Sequence, residues 1–321
     1  MNLLLQNDSS DIANQPWASA VDLFAGCGGS SLGAKFAGVE VKWAANHWQR
    51  AVEYHELNHP SAEHKCQDLH QADWSKVPAH DIMLASPACT GHSKARGKER
   101  PHHDTMRSTA WAVVSCAEYH RPGLMVVENV EEFMEWALYP SWHDALTRLG
   151  YTVSPHIIDA ADHGVPQERV RLFLVCTRSK APLKLALPSR PHVPVNDVLD
   201  WNAPNWSLVN KPGRAPNTLL RVASGRARFG DRFVAPFYSS GSGLTGRSIH
   251  RPIGTIPTRD RWMVVDGDRM RMLTVDETKA VMGFSADYKL PKASSVAKYM
   301  LGNAVCPPVM TDILTAIKQA A

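Results

Sequence analysis

Residues 20–37 constrain this chain more than any other stretch. Ala20-Val21-Asp22-Leu23-Phe24-Ala25 is an apolar run of strand length. Gly26-Cys27-Gly28-Gly29 breaks it, and residues 30–37 return to a helical pattern. A strand, a glycine-rich turn and a helix open a doubly wound α/β unit. In such a unit the turn lies at the carboxyl edge of the strand, where ligands bind, and glycines let the backbone come close to them. No Gly-Lys-Ser/Thr closes the turn, so it is not a P-loop.

The same alternation continues along the chain. Strands are expected at residues 39–45, 65–68, 82–85, 124–130, 151–158 and 170–175. Helices are expected at residues 48–58, 105–120, 141–149, 274–282, 294–301 and 309–319. This order predicts an α/β fold with a doubly wound, mostly parallel sheet. From about Arg178 proline, glycine, arginine and tryptophan rise and the helical period disappears. The region reads as a small, irregular, basic, β-rich domain. Arg221, Arg226, Arg228 and Arg232 beside Phe229 and Gly230 fit a nucleic-acid reading module better than a decorated surface insertion.

Bulk properties narrow the class. The chain has 321 residues, with 35 Lys+Arg against 31 Asp+Glu and a formal charge of +4. That balance is mild, so contact with a polyanion has to come from a local patch. Six cysteines without paired spacing fit reduced thiols in a cytoplasmic protein and not a disulfide frame. Residues 1–16 lack the charge and apolar core of a signal peptide and read as a flexible leader. No run of about 20 apolar residues is evident, so no membrane contact is expected. His55/His59 and His64/His70 lack a convincing ligand pattern, and no metal is expected.

One stretch carries reactive chemistry. The apolar run Ile82-Met83-Leu84-Ala85 ends at Ser86-Pro87-Ala88-Cys89, and Thr90-Gly91-His92-Ser93-Lys94-Ala95-Arg96-Gly97-Lys98-Glu99-Arg100 follows. A cysteine at a strand exit, ahead of a basic loop, suits a nucleophile that meets a polyanion. Taken alone, such a cysteine is more often a small core residue.

The ordered motifs resemble the cytosine-5 DNA methyltransferases from about Val21 to the last helix. Asp22-Leu23-Phe24-Ala25-Gly26-Cys27-Gly28-Gly29 is similar to that family's S-adenosylmethionine-binding motif. Ser86-Pro87-Ala88-Cys89 resembles its Pro-Cys loop, and Glu128-Asn129-Val130 its Glu-Asn-Val motif. Gln167-Glu168-Arg169-Val170-Arg171 resembles its Gln-x-Arg-x-Arg motif. Arg271-Met272-Leu273-Thr274 through Met282-Gly283-Phe284 and then Gly302-Asn303-Ala304-Val305 resemble its last two. Each fragment is weak alone; the ordered set is specific. The resemblance implies a Rossmann-like methyltransferase fold. Residues 17–178 and 266–321 would form the cofactor and catalytic domain, and 179–265 the target recognition domain, with DNA between them.

It also implies roles. Cys89 would add to carbon 6 of a flipped cytosine and make carbon 5 nucleophilic. Glu128 would protonate or hydrogen-bond ring nitrogen 3. Arg171 would donate to the carbonyl oxygen of the base and steady Glu128, while Arg169 would hold the base or a nearby phosphate. Phe24 and Trp48 would sandwich the adenine, Asp68 would accept from its amino group, and Gly26 and Gly28 would admit the methionine part. Asp22, His47, Leu69, Pro87, Asn303 and Val305 complete the implied cofactor set. Ser93, Lys94, Arg96, Arg226 and Arg228 are the expected DNA contacts. The resemblance is that of a monomeric bacterial or phage enzyme acting on double-stranded DNA in the cytoplasm, as in restriction-modification.

Three positions depart from the family. Ala88 precedes the cysteine where proline is usual, and Thr90 follows it where glutamine is usual. His47 replaces the ribose-binding acid, and a neutral imidazole accepts one hydrogen bond where a carboxylate accepts several. A modified donor such as carboxy-S-adenosylmethionine, placing a larger group on cytosine, is therefore an alternative reading. A decayed enzyme that only binds DNA and an enzyme acting on RNA are the others.

Overall fold

The computed structural model describes residues 18–88, 108–237 and 246–320. The chain divides into two compact units, residues 1–158, 170–188 and 309–321 in the first, and 159–169 and 189–308 in the second. The first holds a seven-stranded sheet in the order β3-β2-β1-β4-β5-β8-β6. Its strands are β1 (Ser19–Leu23), β2 (Glu40–Asn46), β3 (Glu63–Cys66), β4 (Ile82–Ala85), β5 (Leu124–Asn129), β6 (Thr152–Asp159) and β8 (Val170–Thr177). β1 pairs in parallel with β2 and β4, and β4 in parallel with β5. β8 runs antiparallel to β5.

The central strands read as continuous apolar runs because both faces of the sheet are covered. Every residue of β1, β4 and β5 is buried. Helices α1 (Gly29–Phe36), α2 (Gln49–Asn58), α3 (Trp111–His120) and α4 (Tyr139–Arg148) connect the strands. Val113, Cys116, Trp142 and Leu146 from α3 and α4 pack with Met83, Met125 and Leu174 of the sheet. Trp142 Nε1 donates to the Ala110 carbonyl at 2.9 Å, so its one polar atom is satisfied inside the core.

The second unit is built on a five-stranded antiparallel sheet, β11-β10-β13-β14-β9. It comprises β9 (Ser207–Leu208), β10 (Arg232–Pro236), β11 (Arg247–Ser248), β13 (Trp262–Asp266) and β14 (Arg269–Met272). A separate short pair joins β7 (Gln167–Glu168) to β12 (Ile253–Gly254). Helix α5 (Pro216–Phe229) lies on the larger sheet, and α6 (Val275–Val281) and α7 (Ser294–Asn303) follow it in sequence. α6 begins with a complete capping box, in which Thr274 accepts from the Glu277 amide and Glu277 from the Thr274 amide. The last helix, α8 (Pro307–Ala320), returns to the first unit. There Lys318 Nζ donates to the carbonyls of Ala37 and Gly38 at 2.8 and 3.1 Å.

Three expectations need correction. The region after Arg178 is not without helix, because α5 runs for 14 residues. The β13–β14 hairpin crosses residue 266, so residues 266–308 belong with the second unit and not with the seven-stranded sheet. The run Ser294–Ala320 is long and apolar enough by composition to cross a membrane, although 78% of its apolar window is buried. A break at residues 304–306 divides it into α7 and α8.

α5 is set against β10 through a glycine. A Cβ on Gly225 would lie 2.2 Å from the ring of Phe233, a fully buried residue of β10. Gly225→Ala is expected to cost about 1–3 kcal/mol through overpacking. Calorimetric melting should show the loss, and the double variant Gly225→Ala/Phe233→Leu should recover part of it.

Candidate active site

The sheet of the first unit changes direction between β1 and β4. From β1 the chain winds outward through β2 and β3, then crosses to β4 and β5. Ligands bind at such switch points, outside the carboxyl ends of the strands. The candidate residues of this unit gather along that edge.

β1 ends in the glycine turn. Phe24, Gly26 and Gly28 have φ of 61°, 56° and 97°, so the backbone there occupies the left-handed region at alternate residues. Phe24 tolerates this despite its side chain, a strain of the kind stored at binding sites. Its ring is half-buried against the core cluster of the sheet. Asp22 is fully buried and accepts from the Ser31 hydroxyl at 2.6 Å. Burial pushes its carboxyl up to about 7, against the lowering effect of Ser31. Its Oδ1 has no hydrogen-bond partner among the described residues.

β2 ends at Asn46, whose Oδ1 accepts from the Trp48 amide at 2.9 Å. His47 is exposed and Trp48 half-buried. Beyond β3, Asp68 is exposed and accepts from the amide of His70 at 3.0 Å. That backbone bond holds its carboxyl below the usual range. Leu69 beside it is buried. An anionic acceptor, two aromatic rings and a turn of close-approaching backbone fit the parts of S-adenosylmethionine. Asp22 Oδ1, buried without a hydrogen-bond partner, adds an acceptor behind the turn.

β4 leads to Pro87, which is buried, and Ala88. Asn129, at the end of β5, donates to the Pro87 carbonyl at 3.2 Å, and Thr109 Oγ1 accepts from the Ala88 amide at 3.1 Å. The chain is therefore held from two sides directly before Cys89. Cys89, Ser93, Lys94 and Arg96 lie outside the described residues. Among the described cysteines, burial pushes Cys27, Cys116 and Cys176 up to about 12, far from a thiolate at neutral pH.

Glu128, the last residue but one of β5, is buried. Because β8 is antiparallel to β5, its beginning lies at the same edge, and Arg171 Nε stands 3.4 Å from Glu128 Oε1. The pairing expected of these two is thus present. Arg169 is placed otherwise. It is 4% exposed, and its terminal nitrogens donate to the carbonyls of Ile256, Gly302 and Ala304 at 3.0–3.1 Å. Those bonds use its guanidinium inside the second unit, which corrects the expectation that it holds the base or a phosphate. Gln167 also stays within that unit, donating to Val281 O and accepting from Ile256 N. Asn303 is exposed and Val305 buried, both in the second unit.

Arg226 is half-buried and donates to the Gly267 carbonyl and Asp268, while Arg228 is exposed with its guanidinium over the Phe229 ring. Among the described residues no cluster of histidine, cysteine or carboxylate is placed to hold a metal ion. Sequence reasoning did not single out Thr109 or the tethering role of Asn129. Asn129 lies inside the Glu-Asn-Val motif, but nothing in its neighbouring residues tells that its amide reaches Pro87.

The profile of the C-5 cytosine-specific DNA methylases matches residues 18–200 and 237–319. The chain belongs to this family. Its reaction is methylation of DNA cytosine at carbon 5. The chain is 26% identical to the type II methyltransferase M.NlaX of Neisseria lactamica, over 94% of this chain and 96% of that one. It is 25% identical to M.HhaI of Haemophilus parahaemolyticus, over 91% and 92%. Its fold is shared with DNMT2 of Spodoptera frugiperda, TM-score 0.69 at 16% identity over 94% and 99% of the two chains. EhMeth of Entamoeba histolytica shares it as well, TM-score 0.66 at 17% identity over 94% and 98%.

The two arginines of the family motif should separate in their variants. Arg169→Met removes a buried charge from three carbonyl acceptors and is expected to lower the melting temperature by several degrees. Arg171→Met should leave melting within about two degrees of wild type while abolishing methyl transfer. Calorimetry beside a tritium-transfer assay checks both.

Proposed function

We propose that Cys89 is the nucleophile and that Glu128 and Arg171 serve the base it attacks. The observation that carries this is the Glu128–Arg171 pair at 3.4 Å, at the end of the strand whose next residue, Asn129, holds Pro87 two positions before Cys89. The Cys89 thiolate adds to carbon 6 of cytosine, and the electron pair moves to carbon 5. Glu128 donates a proton or a hydrogen bond at nitrogen 3, which favours that addition. Arg171 donates to the carbonyl oxygen and keeps Glu128 in place. When bound, S-adenosylmethionine supplies an electrophilic methyl group. Loss of the carbon 5 proton to water or a base then expels Cys89 and restores the aromatic ring. Arg169 acts as a positioning residue through the backbone of the second unit.

The cofactor residues in this reading are Asp22, Phe24, Gly26, Gly28, His47, Trp48, Asp68, Leu69 and Pro87 of the first unit, with Asn303 and Val305 of the second. Unmodified S-adenosylmethionine is the favoured donor. Asp68 is exposed and its carboxyl is held below the usual range by the His70 amide, so a carboxylated donor would meet an anion there. The substrate is double-stranded DNA, with the cytosine flipped out of the stack, since carbon 5 is inaccessible to attack within it. Ser93, Lys94, Arg96 and Arg228 are the proposed DNA contacts, with Arg226 contributing through its partly exposed edge. One flipped base needs one active site, so a monomer suffices. The bacterial type II relatives support a cytoplasmic modification enzyme.

Nucleoside mass spectrometry on DNA from cells expressing the protein tests this. A methyl-sized gain on cytosine is expected, and Cys89→Ala should lose it while retaining DNA binding. Glu128→Gln should lower the transfer rate by about 10²–10⁴-fold. Absence of any gain, or a gain larger than methyl, overturns the reading.

A further inference from the structure

Four polar side chains stand in line behind the glycine turn, and the proposed reaction uses none of the histidines among them. Ser31 of α1 donates to Asp22 Oδ2 at 2.6 Å. His55 of α2 places Nε2 3.0 Å from the Ser31 hydroxyl and Nδ1 2.8 Å from Nε2 of His64 on β3. His59, just after α2, has its ring 4.6 Å from that of His55, tilted by 42°, and hydrogen-bonds the Gly28 backbone. Both parts of the turn are thus held from behind: Gly28 by His59, and Asp22 through Ser31 by His55.

The geometry dictates a proton count. With Ser31 donating to Asp22, His55 Nε2 must donate to Ser31, and His55 Nδ1 must accept from His64 Nε2. Every hydrogen then points toward Asp22, and His55 is neutral. A proton added to His55 turns Nδ1 into a donor facing the donor on His64. The charged and titratable groups around the cluster are Asp22 on β1, Lys35 on α1, Glu56 on α2, and the three histidines themselves. Burial is the largest cause that lowers all three imidazoles: His55 well below 6.5, His59 to about 4, and His64 downward. A cavity of about 280 Å³ lined by Ser31, Lys35, Asn58 and His59 adjoins the cluster.

We propose that His55 and His59 are positioning residues for cofactor binding: they hold the glycine turn from behind, and a proton on His55, which sets two donors against each other at His64, loosens that hold. The inference rests on the turn being the S-adenosylmethionine site. The sign follows from linkage. The imidazoles are less basic in the closed cluster than when the cluster opens, so protons favour the open form. Cofactor affinity is therefore full at pH 8 and falls as pH drops below the ordinary imidazole value of 6.5. Asp22 acts in the same direction, since its anion, dominant above about 7, favours a cationic cofactor.

The test is titration calorimetry of S-adenosylmethionine against the full-length protein between pH 5.5 and 8, with melting in the absence of cofactor as a control of folding. His55→Phe removes both hydrogen bonds and should weaken binding at least tenfold at pH 8. His55→Gln can donate to Ser31 and accept from His64 but cannot titrate. It should restore binding at pH 8 to within about threefold of wild type, and its loss of affinity at pH 5.5 should be at least threefold smaller. The part carried by Asp22 is common to both proteins. If His55→Phe fails to fold, His64→Gln at the half-exposed end of the chain should show the same flattening. Wild-type affinity in His55→Phe, or an unchanged pH profile in His55→Gln, overturns the inference and leaves the cofactor reading standing. Failure of the wild-type protein to bind at pH 8 overturns both.

Discussion

The antiparallel pairing of β5 with β8 is the contact on which the active edge depends. In the parallel part of the sheet every strand brings its carboxyl end to one edge. A strand running the other way brings its beginning there instead. The register aligns Glu128 with Phe173 and Asn129 with Leu172, which leaves Arg171 beside the glutamate. Residues 172–176 of β8 are almost fully buried and packed on both faces, and a one-residue slip would turn Arg171 to the opposite face of the sheet. The same burial that fixes the strand also fixes the distance between the two charged groups.

That strand also explains how one short motif serves two units. Gln167, Arg169 and Arg171 are two residues apart, with Arg169 at the break between β7 and β8. The boundary between the units falls after Arg169. Gln167 and Arg169 therefore act within the second unit and Arg171 within the first. Arg169 meets the carbonyls of Gly302 and Ala304, at the end of α7, where helix carbonyls lack partners and the helix dipole is negative. A buried guanidinium is well matched to that end. Gly302 is small for a related reason: a Cβ there would lie 2.4 Å from the Pro257 carbonyl oxygen. Two distant motifs, one around residue 169 and one around 302, are thus two halves of one local contact.

Much of the first unit was legible because its signals are local. Apolar runs of strand length, a glycine turn and helical spacing each depend on a few neighbouring residues. α5 was hidden because its buried positions, Thr218, Val222 and Gly225, include only one large apolar side chain. The helix is held by the Phe233 ring pressed against Gly225, which is a property of the partner strand and not of the helix. The direction of a polar side chain was equally hidden. Arg169 and Arg171 look alike in sequence and are separated only by what the fold brings to each. His55 and His59 carried no ligand spacing, and their role as buried hydrogen-bonding groups depends on Ser31, Gly28 and His64 arriving from other elements.

The family match omits residues 201–236, and this stretch contains α5 and β10. It is nevertheless core: Val222, Phe233 and Ala235 pack with Met263, Val265 and Met270. Variation within it is therefore tolerable chiefly on the outward face, where the arginines stand. Several of those arginines are already engaged. Arg232 and Arg269 share Asp266, and their guanidinium groups lie 4.5 Å from the rings of Trp201 and Trp206. Arg226 is tied to Asp268, and Arg221 to the Phe237 carbonyl. A guanidinium stacked on an aromatic face and paired with a carboxylate keeps its geometry but has much of its charge compensated nearby. Charge counting over this region thus overstates what the second unit offers to a phosphate backbone, and its arginines serve the shape of the unit as much as its charge.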